Sequence, residues 1–192
     1  GGRHVAFGDG VFKSENGGKS WKNMGLRKSE HISEIIVHPN NSNIIWAASQ
    51  GPLWSPGGER GLYKSTDGGE NWKKVLGGGK WTGVTDIHMD PRNPDRIYAA
   101  TWQRHRTVAA LMGGGPESGL HRSEDGGETW TELKSGLPNY AGKIGFTLSP
   151  QKPDVLYASI ELEKRNGAVY KSEDRGSSWK KMSDLSLGYG TG

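Results

Sequence analysis

Five carboxylates stand where the chain could do acid–base chemistry: Glu34, Glu59, Asp86, Asp90 and Glu117. Cleavage of a glycosidic bond needs two such groups facing each other across the sugar. Asp86 opens a strand-like run and is the best single catalytic candidate, whereas Asp90 precedes Pro91 and reads as a turn residue. Nothing in the spacing pairs Asp86 with a second acid. A second set of residues could bind rather than react. Trp54 and Arg60 fall in one long connection, and Trp102, Arg104, His105 and Arg106 lead into another. Aromatic faces beside guanidinium and imidazole donors suit a saccharide, and arginine also grips a carboxylate bidentately. The plainer account is packed or solvated loop residues, since loop position favours function only modestly.

Other chemistries have little support. His4, His31, His38, His88, His105 and His121 show no i, i+4 ligand spacing and no acidic cluster around them, so no metal site and no cofactor is expected. The Asp-x-Gly runs lack the alternating acids and distant Glu of a calcium loop. With no cysteine there is neither disulfide nor thiol chemistry. The net charge of +4 comes from dispersed lysines (Lys13, Lys64, Lys73, Lys74, Lys171, Lys180, Lys181), a solvated face rather than a nucleic-acid footprint. No apolar run reaches the length of a membrane span, and no secretory signal is visible. Asn40-Asn41-Ser42 matches a glycosylation sequon of the kind common by chance.

The elements that must position these residues are repeats. Ser-x-Asp/Asn-x-Gly-x-x-Trp occurs four times: Ser14, Asn16, Gly18 and Trp21; Ser65, Asp67, Gly69 and Trp72; Ser123, Asp125, Gly127 and Trp130; Ser172, Asp174, Gly176 and Trp179. The period of about 50 residues marks a repeat architecture. Each copy reads as strand, tight turn, strand. Leu62, Tyr63, Lys64 and Ser65 alternate, Gly68 and Gly69 supply positive φ, and Ser65 and Asp67 can accept turn N–H groups. The Trp then locks the hairpin on its neighbour. A second repeat lies between the hairpins: Ile35–Pro39 then Ile44–Ala48, Ile87–Pro91 then Ile97–Ala100, and Phe146–Pro150 then Val155–Ser159. Proline cannot donate to a ladder and marks where the first strand stops. One repeat is therefore four strands, the blade of an all-β propeller.

With these motifs the sequence resembles the Asp-box (BNR) repeat propellers, as in sialidases, xyloglucan-cleaving glycoside hydrolases and sortilin-type receptors. It is most similar to the large bacterial proteins termed sortilin-like or glycosyl-hydrolase-like. The resemblance covers nearly the whole chain. It implies a box between the third and fourth strands of each blade, boxes that are not catalytic, and an extracellular or periplasmic protein. The sialidase set of clustered arginines, tyrosine nucleophile and acidic partner cannot be assigned to these positions.

The chain divides into a half blade over 3–25, blades over 31–76, 82–135 and 141–183, and a patternless tail over 184–192. Propellers close with about four to eight blades. Three and a half blades therefore imply a piece of a longer chain, the favoured reading, or two copies that meet, or further strands supplied by the tail. The mouth should be built from the long connections 49–60 and 103–118, on the side where the chain leads into each blade. The expected function is a non-catalytic binding or assembly module that takes a peptide or glycan around Trp54, Arg60, Trp102, Arg104, His105 and Arg106. The alternative is part of a glycoside hydrolase whose second carboxylate lies elsewhere.

Overall fold

The computed structural model of the chain describes residues 6–109, 111–163 and 166–186. Residues 3–5 of the half blade, 164–165 of the third connection and 187–192 of the tail lie outside the described residues. The described chain is all-β: a partial propeller of three four-stranded antiparallel blades and a two-stranded piece. The piece pairs β1 (Phe12–Lys13) with β2 (Lys22–Asn23). The first full blade is a meander of β3 (Ile32–His38), β4 (Asn41–Ser49), β5 (Gly61–Ser65) and β6 (Lys73–Leu76). The second takes β7 (Thr82–Asp90) and β8 (Asn93–Gln103). It then interposes a hairpin of β9 (His105–Arg106) and β10 (Leu111–Met112), and finishes with β11 (Gly119–Ser123) and β12 (Thr131–Leu133). The third is β13 (Ile144–Leu148), β14 (Leu156–Glu161), β15 (Asn166–Ser172) and β16 (Lys180–Ser186). No helix among the described residues is long and apolar enough to cross a membrane.

The Asp-box turns share one hydrogen-bond pattern. In each, the serine Oγ accepts from the second glycine's N–H (2.8–2.9 Å) and donates to the Asp or Asn Oδ1. That Oδ1 accepts the N–H four residues on, from Ser20, Asn71, Thr129 and Ser178. The N–H and side-chain amide of Asn71, with Ser65, hold the Asp67 carboxyl down to about 2. Each full blade adds a clamp from the turn to its own first hairpin. Gly68, Gly126 and Arg175 donate N–H to the carbonyls of Asn43, Asp95 and Asp154. This needs a left-handed backbone, φ 75° and 68° at the two glycines and 61° at Arg175. Arg175 takes that conformation despite its Cβ.

The core is divided among the blade joints. Val11, Met24, Ala47 and Trp72 fill the first, Trp46, Ile87, Ile97 and Trp130 the second, and Tyr98, Leu120, Ile144 and Trp179 the third. Fully buried Ala47, Ala48, Ala99 and Ala100 let the blades approach closely. Polar groups cross the joints in register. Trp46 Nε1 and Tyr98 Oη donate to box carbonyls of the following blade, at Gly126 and Arg175. Lys22 meets Glu70, while Lys64 and Lys73 meet Glu128.

Trp72, Trp130 and Trp179 each pack on the blade before them, whereas the first-copy Trp meets no such blade among the described residues, and the expected lock fails there. Trp21 has no preceding blade in this chain and is 61% exposed, against 6% for Trp179. In urea unfolding, Trp179→Ala should cost about 3–5 kcal/mol and Trp21→Ala less than about 1 kcal/mol. Equal costs would contradict this packing.

Candidate functional site

Two groups of functional side chains gather near the first strands of the blades. The first sits on a β-bulge that recurs. The β3–β4 register slips at Ser33 and the β7–β8 register slips at Thr85, while β13 pairs with β14 evenly. A bulge re-aims the following side chain, here Glu34 and Asp86. Each acid crosses to the next blade: Ile87 N–H donates to Glu34 Oε2 and Phe146 N–H to Asp86 Oδ2, both at 3.1 Å. Ser33 Oγ also donates across, to the Val84 carbonyl. His88 completes the second crossing. Its Nε2 lies 2.7 Å from the Phe146 carbonyl and 3.3 Å from Asp86 Oδ1, and its ring meets Phe146 edge to face. Asp86 and His88 thus hold both polar groups of the Phe146 peptide. The third blade has Gly145 in the acid position, with open space where a Cβ would go.

This arrangement corrects two expectations. Asp86 does have a second acid beside it, Glu34, and His88 does have an acidic cluster: the ligand atoms of all three lie within 4.8 Å of one another. Sequence spacing hid this because Glu34 and Asp86 belong to different blades. Burial raises the Glu34 carboxyl, with Asp86 adding to the effect. Burial also pushes Asp86 upward, but the hydrogen bonds from His88 and Phe146 N–H outweigh it and leave Asp86 lowered. For His88, burial favours the neutral ring, yet the adjacent Asp86 and Glu34 raise it overall.

The second group forms the mouth. A cavity of about 480 Å³ is lined by Trp102, Arg104, Lys143, Gln50, His31 and Glu30, among others. Trp102 and Arg104 come from the end of β8 and the residue after it, Gln50 follows β4, and His31 and Lys143 lead into β3 and β13. Cations lie over the indoles: Arg104 and Lys143 at 5.0 and 5.9 Å from Trp102, and Arg106 at 5.5 Å from Trp54. His105 stacks on Trp81 at 3.8 Å. The segment 103–118 is no open loop, since β9 and β10 give it a hairpin frame.

Of the residues read as binding candidates, Trp102 and Arg104 line the cavity. Trp54, His105 and Arg106 lie in the surrounding aromatic–cation array. Arg60 is withdrawn from the binding set. It is 4% exposed, and its guanidinium donates to the carbonyls of Gln50, Pro52 and Ser55, bracing its own loop. Burial, then repulsion from Arg104, lowers its pKa to about 10. Glu59 caps Lys28 N–H and Glu117 caps Gly79 N–H, while buried Asp90 pairs with Arg92 and Arg96. His31, Gln50, Trp81 and Lys143 were missed, although the direction of chain travel into each blade located that side of the molecule.

No family model matches the chain. It is 24% identical, over 95% of its length, to a "Probable oligoxyloglucan-reducing end-specific xyloglucanase" of Neosartorya fischeri, and covers 25% of that protein. It is 23% identical, over 86% of its length, to a xyloglucanase of Hypocrea jecorina, covering 19% of it. The chain thus spans a quarter or less of the curated relatives it matches. Among solved structures it is similar to an ancestral GH74 enzyme, with a TM-score of 0.69 and 22% identity over 91% of this chain and 21% of that one. The GH74 xyloglucanase from Xanthomonas campestris gives a TM-score of 0.68 and 16% identity over 91% of this chain and 27% of that one. The class so defined is a β-propeller of the architecture these glycoside hydrolases use, present here in part.

Because His88 is raised above its ordinary 6.5 in the fold, its contribution to stability is full below that pH and is lost as pH rises through the raised value. The stability difference between the parent chain and His88→Gln should therefore shrink from about pH 6 to pH 9 in denaturant melts. A difference that stays constant would mean that His88 is uncharged at Asp86.

Proposed function

We propose that this chain is the saccharide-binding portion of a larger glycoside-hydrolase-type propeller, with the ligand seated in the mouth on Trp102. The observation that carries this reading is the cavity itself. Its volume of about 480 Å³ falls in the range of small-ligand sites, and an indole lies beside unpartnered polar atoms. Ser29, His31 and Arg104 line it, and Ser29 Oγ, His31 Nε2 and Arg104 Nε are buried without hydrogen-bond partners among the described residues. The xyloglucanase relatives support a polysaccharide as the class of ligand, and an exported location is proposed on the same resemblance.

Hydrolysis is assigned to carboxylates outside this chain. Retaining pairs stand about 5–5.5 Å apart and inverting pairs about 6.5–9.5 Å apart. Glu34 and Asp86 have carboxylate oxygens within 4.8 Å of each other, and both groups are tied to backbone N–H groups of the next blade. In fluorescence titrations with xyloglucan oligosaccharides, the parent chain should bind and Trp102→Ala should weaken binding at least about tenfold, with Glu34→Gln and Asp86→Asn binding as the parent does. A folded chain that binds no saccharide would overturn the reading, as would glucan cleavage that Asp86→Asn abolishes.

The partner proposed for the end blades is further blades rather than a second copy. At the first two blade joints a lysine meets a box glutamate, Lys22 with Glu70 and Lys64 and Lys73 with Glu128. A second copy would present Lys19 in the glutamate position to Lys171 and Lys180 in the lysine positions. Like charges at a joint disfavour that closure. Sedimentation at moderate salt should give a monomer, and a closed dimer would refute this assignment.

A further inference from the structure

We infer that the mouth is built for an acidic saccharide, one carrying carboxylates as a uronate chain does, rather than for a neutral glucan. The inference rests on the saccharide-binding reading above and names its ligand class.

The described arginines divide into two populations. Arg27, Arg92, Arg96, Arg122 and Arg175 each stand within 4.0 Å of an aspartate or glutamate. Arg104 and Arg106 beside the mouth have no carboxylate partner among the described residues, and neither has Lys143; Arg60 behind them has none either, but its guanidinium is engaged by loop carbonyls. A chain that pairs its arginines elsewhere leaves them unpaired at one place. They also repel one another there. After burial, the charge of Arg104 weighs on Arg60 and that of Arg106 on Arg104, and both guanidinium groups are lowered. Glu30 offsets part of the charge at Arg60, but Arg104 and Arg106 have no such partner; leaving partly buried cations uncompensated is costly, and an anion is what would compensate them.

Unused donors point to the same place. Arg60 Nε, Thr85 Oγ1 and Arg104 Nε are buried without a partner, and their residues line a small cavity of about 10 Å³ that shares Gln50, Trp102 and Arg104 with the mouth. Arg60 and Thr85 are 4% and 9% exposed, so these are built groups rather than mobile surface chains. Glu30 is the one carboxylate among the described residues that line the mouth, and its charge acts on Arg60. A neutral sugar would use Trp102 and leave Arg104 and Lys143 unanswered. A uronate ring stacked on Trp102 would bring its carboxylate to Arg104, where charge-assisted bonds form, with Lys143 flanking the same indole.

Calorimetric titration of the full chain decides among ligands. The probes are a galacturonate oligosaccharide, a neutral xyloglucan oligosaccharide and a hexaglutamate peptide. The uronate should bind at least about tenfold more tightly than the neutral sugar, and added salt should weaken it. Arg104→Gln and Lys143→Gln, verified as folded by near-ultraviolet circular dichroism, should each reduce uronate affinity about tenfold or more and weaken the neutral sugar far less. Equal or tighter binding of the neutral sugar overturns the acidic-ligand inference while leaving saccharide binding in place. Failure of both sugars overturns the two readings together. Uronate binding that both substitutions leave intact overturns the assigned site, and tighter binding of the peptide overturns the saccharide class.

Discussion

The structure depends on blades making one another's joints. Almost every large side chain of the core has its partner on a neighbouring blade, and so do the polar groups that fix alignment. A box Trp fills the space left by the preceding blade, and an aromatic on the second strand reaches the box turn of the following one. Such a molecule has no centre that a single blade could keep alone, which is the physics of repeat architectures. The same logic explains the exposed ends. Trp21 and Tyr157 occupy positions that are buried in the equivalent residues Trp179 and Tyr98.

The acids on the first-strand bulges deserve a structural account before a chemical one. The first strand of each full blade is paired on one side only, and unpaired edge N–H groups are a liability. Glu34 and Asp86 satisfy one such group on the next blade each, and His88 answers the adjoining carbonyl. Their perturbed titration follows from being buried together, which is what a joint of this kind produces. Strong coupling between carboxylates is a reason to look for function, but here their oxygens already have partners. The mouth differs, because Ser29 Oγ, His31 Nε2 and Arg104 Nε beside it are left without partners among the described residues.

Much of the fold was legible because turn chemistry is local. Ser65, Asp67, Gly68 and Gly69 specify their turn whatever surrounds them, so four copies at a near-constant period spell out the hairpins. The two-state alternation of Leu62 to Ser65 and the prolines after β3, β7 and β13 add the strands. What could not be read is what depends on blade-to-blade geometry. Glu34 and Asp86 are 52 positions apart and meet only through two bulges, which leave no mark beyond the paired Ser33-Glu34 and Thr85-Asp86. Arg60 looked like a binding residue because arginine in a long loop has no local signature that separates bracing from binding. Lys143 and His31 were overlooked because each stands alone before its strand, and only closure of the blades around the mouth brings them to Trp102.

The central claim is that ligand meets this chain at the mouth and nowhere else. The most direct measurement is the set of tryptophan indole N–H signals in a nitrogen–proton correlation spectrum as a uronate oligosaccharide is added. The account predicts that Trp102 shifts progressively, with Trp54 and Trp81 following, while Trp130 and Trp179 in the blade joints stay fixed. Shifts confined to Trp21 and the box face, or none at all in a folded chain, would contradict it.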